Sequence, residues 1–266
     1  MMIKKTFFLF LCSILLLTGC RDSDENDIEF ETVTADKTVV LSNEELSPTC
    51  TVHIQMEEAT KNNGHRGEVI NTTVMKRLLD EEEETMQLAA EAFANKYTDS
   101  YLKTMLPLYN EDRADTTKRS WYQYHYVITC STQKGSKGTY VYLATVDYYE
   151  GGAHGINQLL TMNFEAKTGR QLTLADIFAP GYEQPLKDIL IKALREKTGC
   201  NTMSALRDKG YLYSMDMFPS ENFILGEETI TFIYNPYEIA PYNVGSTELI
   251  IPFSDIKDLL KNSFTY

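Results

Sequence analysis

Residues 121–149 constrain this chain more than any other stretch. Trp121-Tyr122-Gln123-Tyr124-His125-Tyr126-Val127-Ile128-Thr129 alternates as a strand should, with a period of two. Tyr140-Val141-Tyr142-Leu143-Ala144-Thr145-Val146-Asp147-Tyr148-Tyr149 returns as a second run, and Gly135 and Gly138 supply the turn between them. The result is an antiparallel hairpin with aromatic rungs. Tyr122, Tyr124 and Tyr126 share a face of the first strand, and Tyr140, Tyr142 and Tyr148 share a face of the second. A third strand is predicted over 158–164, and Lys167-Thr168-Gly169-Arg170 turns the chain after it.

The flanking sequence adds helices to this sheet. Residues 28–56 read as extended, with Thr49-Cys50-Thr51-Val52-His53-Ile54-Gln55-Met56 rich in strand formers, and 61–67 reads as a loop. Val69, Ile70, Val74 and Leu78 repeat at helical spacing. Met86, Ala89, Ala90, Phe93, Tyr97, Tyr101 and Met105 make a second, longer stripe. The acidic run 80–84 precedes that stripe and suits a helix N-terminus electrostatically. Tyr182, Leu186, Ile189, Leu190, Ala193 and Leu194 predict an amphipathic helix that ends near Gly199. Strands follow at 223–225, 230–234 and 247–252, and a closing helix at 255–260. The class is therefore α+β: antiparallel sheets in hairpins with inserted helices, forming two packed subdomains over 28–146 and 147–266.

The N-terminus carries an address. Lys4 and Lys5 precede an apolar run from Phe7 to Leu17, too short to span a bilayer and suited to a signal-peptide core. Leu17-Thr18-Gly19-Cys20 has the cleavage pattern of bacterial lipoproteins. Residues 1–19 are expected to be removed and Cys20 lipidated, which anchors the protein without a transmembrane helix. Residues 20–27 are acidic, carry nothing to bury, and read as a disordered tether. The expected place is the cell envelope, lipid-anchored in the outer membrane, on its periplasmic or its surface-exposed face. The net charge of −13 argues against nucleic-acid partners and favours cationic ones. Cys50, Cys130 and Cys200 lack CxxC spacing and read as buried thiols.

Two constellations bear on function. Tyr148-Tyr149-Glu150-Gly151-Gly152-Ala153-His154-Gly155 admits two readings. In one, His154 works as an acid–base group with Glu150 or Asp147. In the other, Gly151, Gly152 and Gly155 form a bend in the sheet and His154 serves it structurally. The second constellation is Tyr237-Glu238-Ile239-Ala240-Pro241-Tyr242, where Pro236 and Pro241 rule out a central strand and predict a rigid loop after the 230–234 strand. Its tyrosines are either binding anchors or plugs at the core edge. The candidate binding set is Tyr149, Glu150, His154, Tyr237, Glu238 and Tyr242. The four histidines show no HxxxH or HxxH spacing, and no GxSxG or SxxK occurs, so neither a metal nor another cofactor is called for.

Three blocks in order, "YYEGGAHG", "MNFEAKTGRQLTLADIF" and "ITFIYNPYEIAPYNVGSTELIIPFSDI", resemble an extracytoplasmic domain family. That family occurs in RsiV-type lysozyme-sensing anti-sigma factors and in the non-catalytic part of PdaC-type peptidoglycan deacetylases. The resemblance covers about residues 148–260, and 28–146 looks like the smaller, deacetylase-accessory-like domain that accompanies it. It implies a non-catalytic binding ectodomain of the envelope, with lysozyme, another cationic protein or a glycan as partner. The family motif often has proline after the histidine, where this chain has Gly155. The chain is not expected to hold a sigma factor itself, since its N-terminal apolar run reads as a cleaved signal. The alternative is an envelope polysaccharide or peptidoglycan hydrolase or deacetylase using His154 with Glu150 or Asp147.

Overall fold

The structure is a computed structural model and describes residues 27–136 and 138–264. The expected signal peptide, Cys20 and nearly all of the tether lie outside the described residues. The tether's last residue does not hang free. Asp27 accepts from Lys134 Nζ at 2.6 Å through its carboxylate, and from Arg66 at 3.0 Å through its carbonyl.

Alternation in the sequence becomes one six-stranded sheet in chain order: β1 (Phe30–Val40), β2 (Thr49–Ala59), β3 (Tyr124–Lys134), β4 (Thr139–Tyr149), β5 (Ile156–Glu165) and β6 (Gln171–Leu172). The α+β class holds. One pairing departs from the antiparallel expectation: β2 and β3 run parallel, in register from Cys50 opposite Tyr124 to Gln55 opposite Thr129. The cause is the connection. Between them the chain makes α1 (His65–Leu79) and α2 (Met86–Asp112) and re-enters the sheet at the end where β2 began. The segment 61–67, expected as a loop, already forms a 3-10 turn and the start of α1. The long stripe lies in α2, which continues past it through Pro107 to Asp112. Tyr109 repays that extension: it is buried, packs edge-on against Tyr122 at 5.4 Å and donates to Glu44 at 3.0 Å.

Met86, Ala89, Ala90 and Ala94 of α2 are buried under the sheet with Ile54, Ile128, Tyr142 and Phe164, forming the first core. Four of the six rung tyrosines face it on the strands: Tyr140 and Tyr142 are buried there, and Tyr126 stacks on Tyr148 at 5.4 Å. Tyr122 lies in a 3-10 segment (Thr116–Tyr122) ahead of β3 rather than in the strand.

A second core follows. α3 (Leu174–Ile177), α4 (Glu183–Thr198) and α5 (Met203–Asp208) precede an antiparallel sheet of β7 (Phe223–Leu225), β8 (Thr229–Tyr234) and β9 (Thr247–Pro252), closed by α6 (Phe253–Ile256). Leu186, Leu190 and Leu194 of α4 are fully buried, each worth about 1.5–3 kcal/mol of burial. Gly199 takes the left-handed cap at φ 68 and stops the helix. The division expected at 146/147 falls inside β4. The first core runs on to Ala166, and the second begins at Leu172.

Three asparagines join the two cores. The outer edge of β5 lacks a strand partner near Leu159, and side-chain amides take its place. Leu159 N donates to Asn235 Oδ1 at 2.8 Å, and Leu159 O accepts from Asn235 and Asn222 at 3.0 and 2.7 Å. In return Asn163 reaches β7, accepting from Leu225 N at 2.9 Å and donating to Phe223 O at 2.7 Å. An amide offers one donor and one acceptor in a plane, as a peptide does, so it caps a strand edge as a neighbouring strand would. Among the described residues, no helix is long and apolar enough to cross a membrane.

Candidate functional site

The β4–β5 bend and the loop after β8 meet at one corner. Gly151 and Gly152 have φ of 81° and 95°, conformations that a bend of this sharpness requires and side chains oppose. A Cβ on Gly151 would lie 2.8 Å from Trp121 O, and one on Gly155 2.9 Å from Tyr148 O, so backbone crowds both positions. Tyr149 OH donates across the bend to Gly152 O at 2.9 Å.

The loop opposite is held by its own backbone. Tyr237 N donates to Ala240 O at 2.9 Å, and Asn235 N donates to the Glu238 carboxylate at 2.8 Å. Burial pushes the Glu238 carboxyl above its ordinary range, and the Asn235 N–H partly offsets this. Tyr237 itself sits at φ 74°, one of three non-glycine residues with positive φ in the described structure.

His154 joins the two segments. Its ring stacks on Tyr242 with centroids 3.6 Å apart and planes 12° from parallel. Its Nδ1 lies 2.9 Å from Gly155 O and its Nε2 3.2 Å from Tyr237 OH. A carbonyl only accepts, so Nδ1 carries the proton, and in the neutral ring Nε2 accepts from the tyrosine. His154 and Tyr237 are both exposed, Tyr242 is half-buried, and all three rings lie on one surface. Beside it a cavity of about 480 Å³ is lined by Tyr213, Met215, Tyr237, Ile239 and Pro241. Tyr213 is 80% exposed, so this face carries aromatic side chains that no core covers.

The acid–base grouping expected around His154 does not form. Asp147 is bonded to His125 Nε2 at 2.8 Å and to Asn157 at 3.3 Å, so its carboxylate is engaged along the strands rather than with His154. Glu150 turns toward α2 instead, accepting from Tyr97 OH at 2.8 Å. Three histidines lie against a carboxylate, His125 on Asp147, His53 on Asp36 at 2.6 Å and His65 on Glu68 at 3.2 Å, and each pair stands apart from His154. Of the candidate binding set, Tyr237, Tyr242 and His154 meet as one cluster. Tyr149 stacks on His125 at 6.2 Å, and Glu150 lines a separate small cavity on α2.

The sequence gives no direct sign of a cavity of about 740 Å³, formed by β1, the end of β2, α1 and the start of α2. Glu31, Glu58, Glu68, Glu83 and Glu84 line it with Lys61. The run 80–84 was the available signal. Its other members are engaged elsewhere, Asp80 and Glu82 with Lys76 and Glu81 with Lys96. Among the described residues, no His, Cys, Asp and Glu side chains cluster in a way that could hold a metal ion.

Residues 175–254 match the family described as Protein of unknown function (DUF3298). The matched span takes in most of the third block and the end of the second, and YYEGGAHG lies upstream of it. The chain is 26% identical over 183 residues to the peptidoglycan-N-acetylmuramic acid deacetylase PdaC of Bacillus subtilis, covering 68% of this chain and 37% of that protein. It thus spans little more than a third of that relative's length. A solved DUF3298 family member from Bacteroides fragilis superposes with a TM-score of 0.81 at 29% identity, over 89% of this chain and 94% of that one. A DUF3298 family protein from Pseudomonas aeruginosa shares the fold, with a TM-score of 0.60 at 14% identity over 90% and 98% of the two chains. Residues 175–254 thus match the DUF3298 model, in a chain that is homologous to the PdaC deacetylase and built like solved DUF3298 family proteins.

Proposed function

We propose that this chain is a lipid-anchored cell-envelope protein whose ectodomain binds a partner without catalysing a reaction, and that the partner is a cationic protein such as lysozyme. The observation that carries the reading is the corner itself: two exposed rings and a half-buried one, from two parts of the fold, held in one fixed arrangement around His154. Rigid aromatic side chains at a surface give contact area at low entropic cost. The net charge of −13 speeds encounter with a positively charged partner. An envelope glycan is the other occupant such rings would suit. A deacetylase or hydrolase reading draws on the PdaC relationship, but His154 meets neither Glu150 nor Asp147.

The test is titration of lysozyme by calorimetry at low and at raised salt. Binding at low ionic strength that weakens with salt is the expected result. Tyr237→Gly should weaken it further while keeping the fold, since glycine adopts φ 74° freely. No measurable affinity at low ionic strength refutes the lysozyme assignment. Turnover of acetylated peptidoglycan that is lost in His154→Ala refutes the non-catalytic one.

A further inference from the structure

Glu150 occupies an unusual position for a surface carboxylate. No lysine or arginine pairs with it among the described residues. Instead it closes a cavity of about 210 Å³ whose walls are Tyr97, Tyr101, Tyr124 and Met105, with Ser100 and Thr104 at the rim. The walls are well fixed. Tyr101 OH donates to Tyr122 O at 2.7 Å, its ring lies 5.1 Å from that of Tyr124, and Tyr124 OH reaches Met105 Sδ at 3.5 Å.

We propose that this cavity binds a primary alkylammonium group, the head of a lysine side chain presented by a protein partner. The inference names the chemistry taken by the binding surface and so rests on the reading of the chain as a binder of cationic protein. Three features select the ligand. One carboxylate surrounded by π faces and a thioether attracts a monocation with an apolar stem. Glu150 Oε1 accepts from Tyr97, which ties up one lone pair there and leaves Oε2 as the more open oxygen. That suits the point charge of an ammonium and disfavours a guanidinium, whose fork needs two oxygens. Oε2, Ser100 Oγ and Thr104 Oγ1 together offer three acceptors to the three N–H bonds of a primary ammonium.

The electrostatics agree. Burial pushes the hydroxyls of Tyr97 and Tyr124 and the thiol of Cys50 upward, the last to about 12, and the Glu150 charge pushes each further. The pocket therefore holds a negative field with no internal cation to quench it. An ethanolamine phospholipid also carries a primary ammonium. Its adjacent phosphate would meet the same negative field, which favours the lysine source.

The probe is n-butylammonium, followed by proton NMR on the full chain. Its methylene protons should shift upfield and saturate, as they do when held against aromatic faces. Glu150→Gln should weaken this about tenfold, and Ser100→Ala with Thr104→Val should weaken it less. Tetramethylammonium and n-butylguanidinium should bind more weakly than n-butylammonium, and n-butanol should give no saturable shift. Glu150 is exposed, so circular dichroism of Glu150→Gln should match the parent. No saturable shift, an unchanged Glu150→Gln, or equal binding of n-butanol overturns the site. Vesicles of ethanolamine phospholipid that bind in a Glu150-dependent manner overturn the lysine assignment. Saturable n-butylammonium binding without lysozyme binding keeps the cage and removes the lysozyme reading; lysozyme binding without an n-butylammonium shift does the reverse.

Discussion

The asparagine clamp gives the sharpest test of how the two cores are joined. Asn163 is 1% exposed and satisfies two buried backbone groups of β7. Asn163→Ala leaves Leu225 N without its acceptor, at about 1–3 kcal/mol for a buried orphan donor. Phe223 O keeps a second donor, Thr161 Oγ1 at 2.8 Å, so its loss is milder, about 0.5–1.5 kcal/mol. The sum is roughly 2–4 kcal/mol, which for a chain of this size lowers Tm by roughly 5–15 °C. Asn157→Ala is the matched control. Asn157 also lies on β5 but is exposed and bonds only to the Asp147 carboxylate at 3.3 Å, so its loss should stay within about 0.5 kcal/mol. Thermal unfolding followed by circular dichroism gives the difference. Hydrogen exchange at the Leu225 amide gives its location, and that amide should lose protection first. Equal melting of the two variants, or unchanged protection at Leu225, refutes the clamp.

Two further outcomes follow from the same contacts. Burial raises the Glu238 carboxyl, so the folded chain binds that proton more tightly than the unfolded one, and the stability it gives is present at low pH and lost as pH rises through the raised value. Glu238→Gln should therefore be relatively more stable than the parent at neutral pH, with the advantage shrinking as pH falls through the carboxylate range in denaturant titrations. Cys50 and Cys130 are buried, and burial pushes both thiols up to about 12. Alkylation mapped by mass spectrometry should spare both in the native chain and label both in denaturant; rapid native labelling would contradict their burial.

The elements were legible where periodicity was long. The stripe from Met86 to Met105 and the helix from Leu186 to Leu194 have many residues voting for one face, and both helices stand where the spacing puts them. The parallel pairing of β2 with β3 was not legible, because alternation shows that a run is a strand and says nothing of which way its neighbour runs. The missing length of α2 has a similar cause. Tyr109 and Tyr122 hold its last turn by tertiary contact, and Pro107 in the sequence argues for an earlier stop. At the site, the bend glycines and the proline-bounded loop could be read singly. Their meeting could not, since His154 and Tyr237 are 83 residues apart and are brought together by amides that look like ordinary loop asparagines.

A tyrosine at φ 74° costs about 1–2 kcal/mol relative to an ordinary conformation, and burial is the usual compensation. Tyr237 is 54% exposed, so burial offsets little of that cost. What the strained backbone achieves is aim: it points the hydroxyl at His154 Nε2 and sets the ring 5.8 Å from Tyr242. A residue that served only as a core plug would be turned inward, where Ile239 and Ala240 of the same loop already lie buried. The loop thus divides its work between neighbours, with the small aliphatic residues closing the core and the strained tyrosine facing outward. Asn235 stands two residues before it and fixes the loop to β5, so the clamp that joins the cores also sets the position of the ring. Strain kept at an exposed aromatic, on a loop anchored to the scaffold, accords with the proposed binding role of this corner.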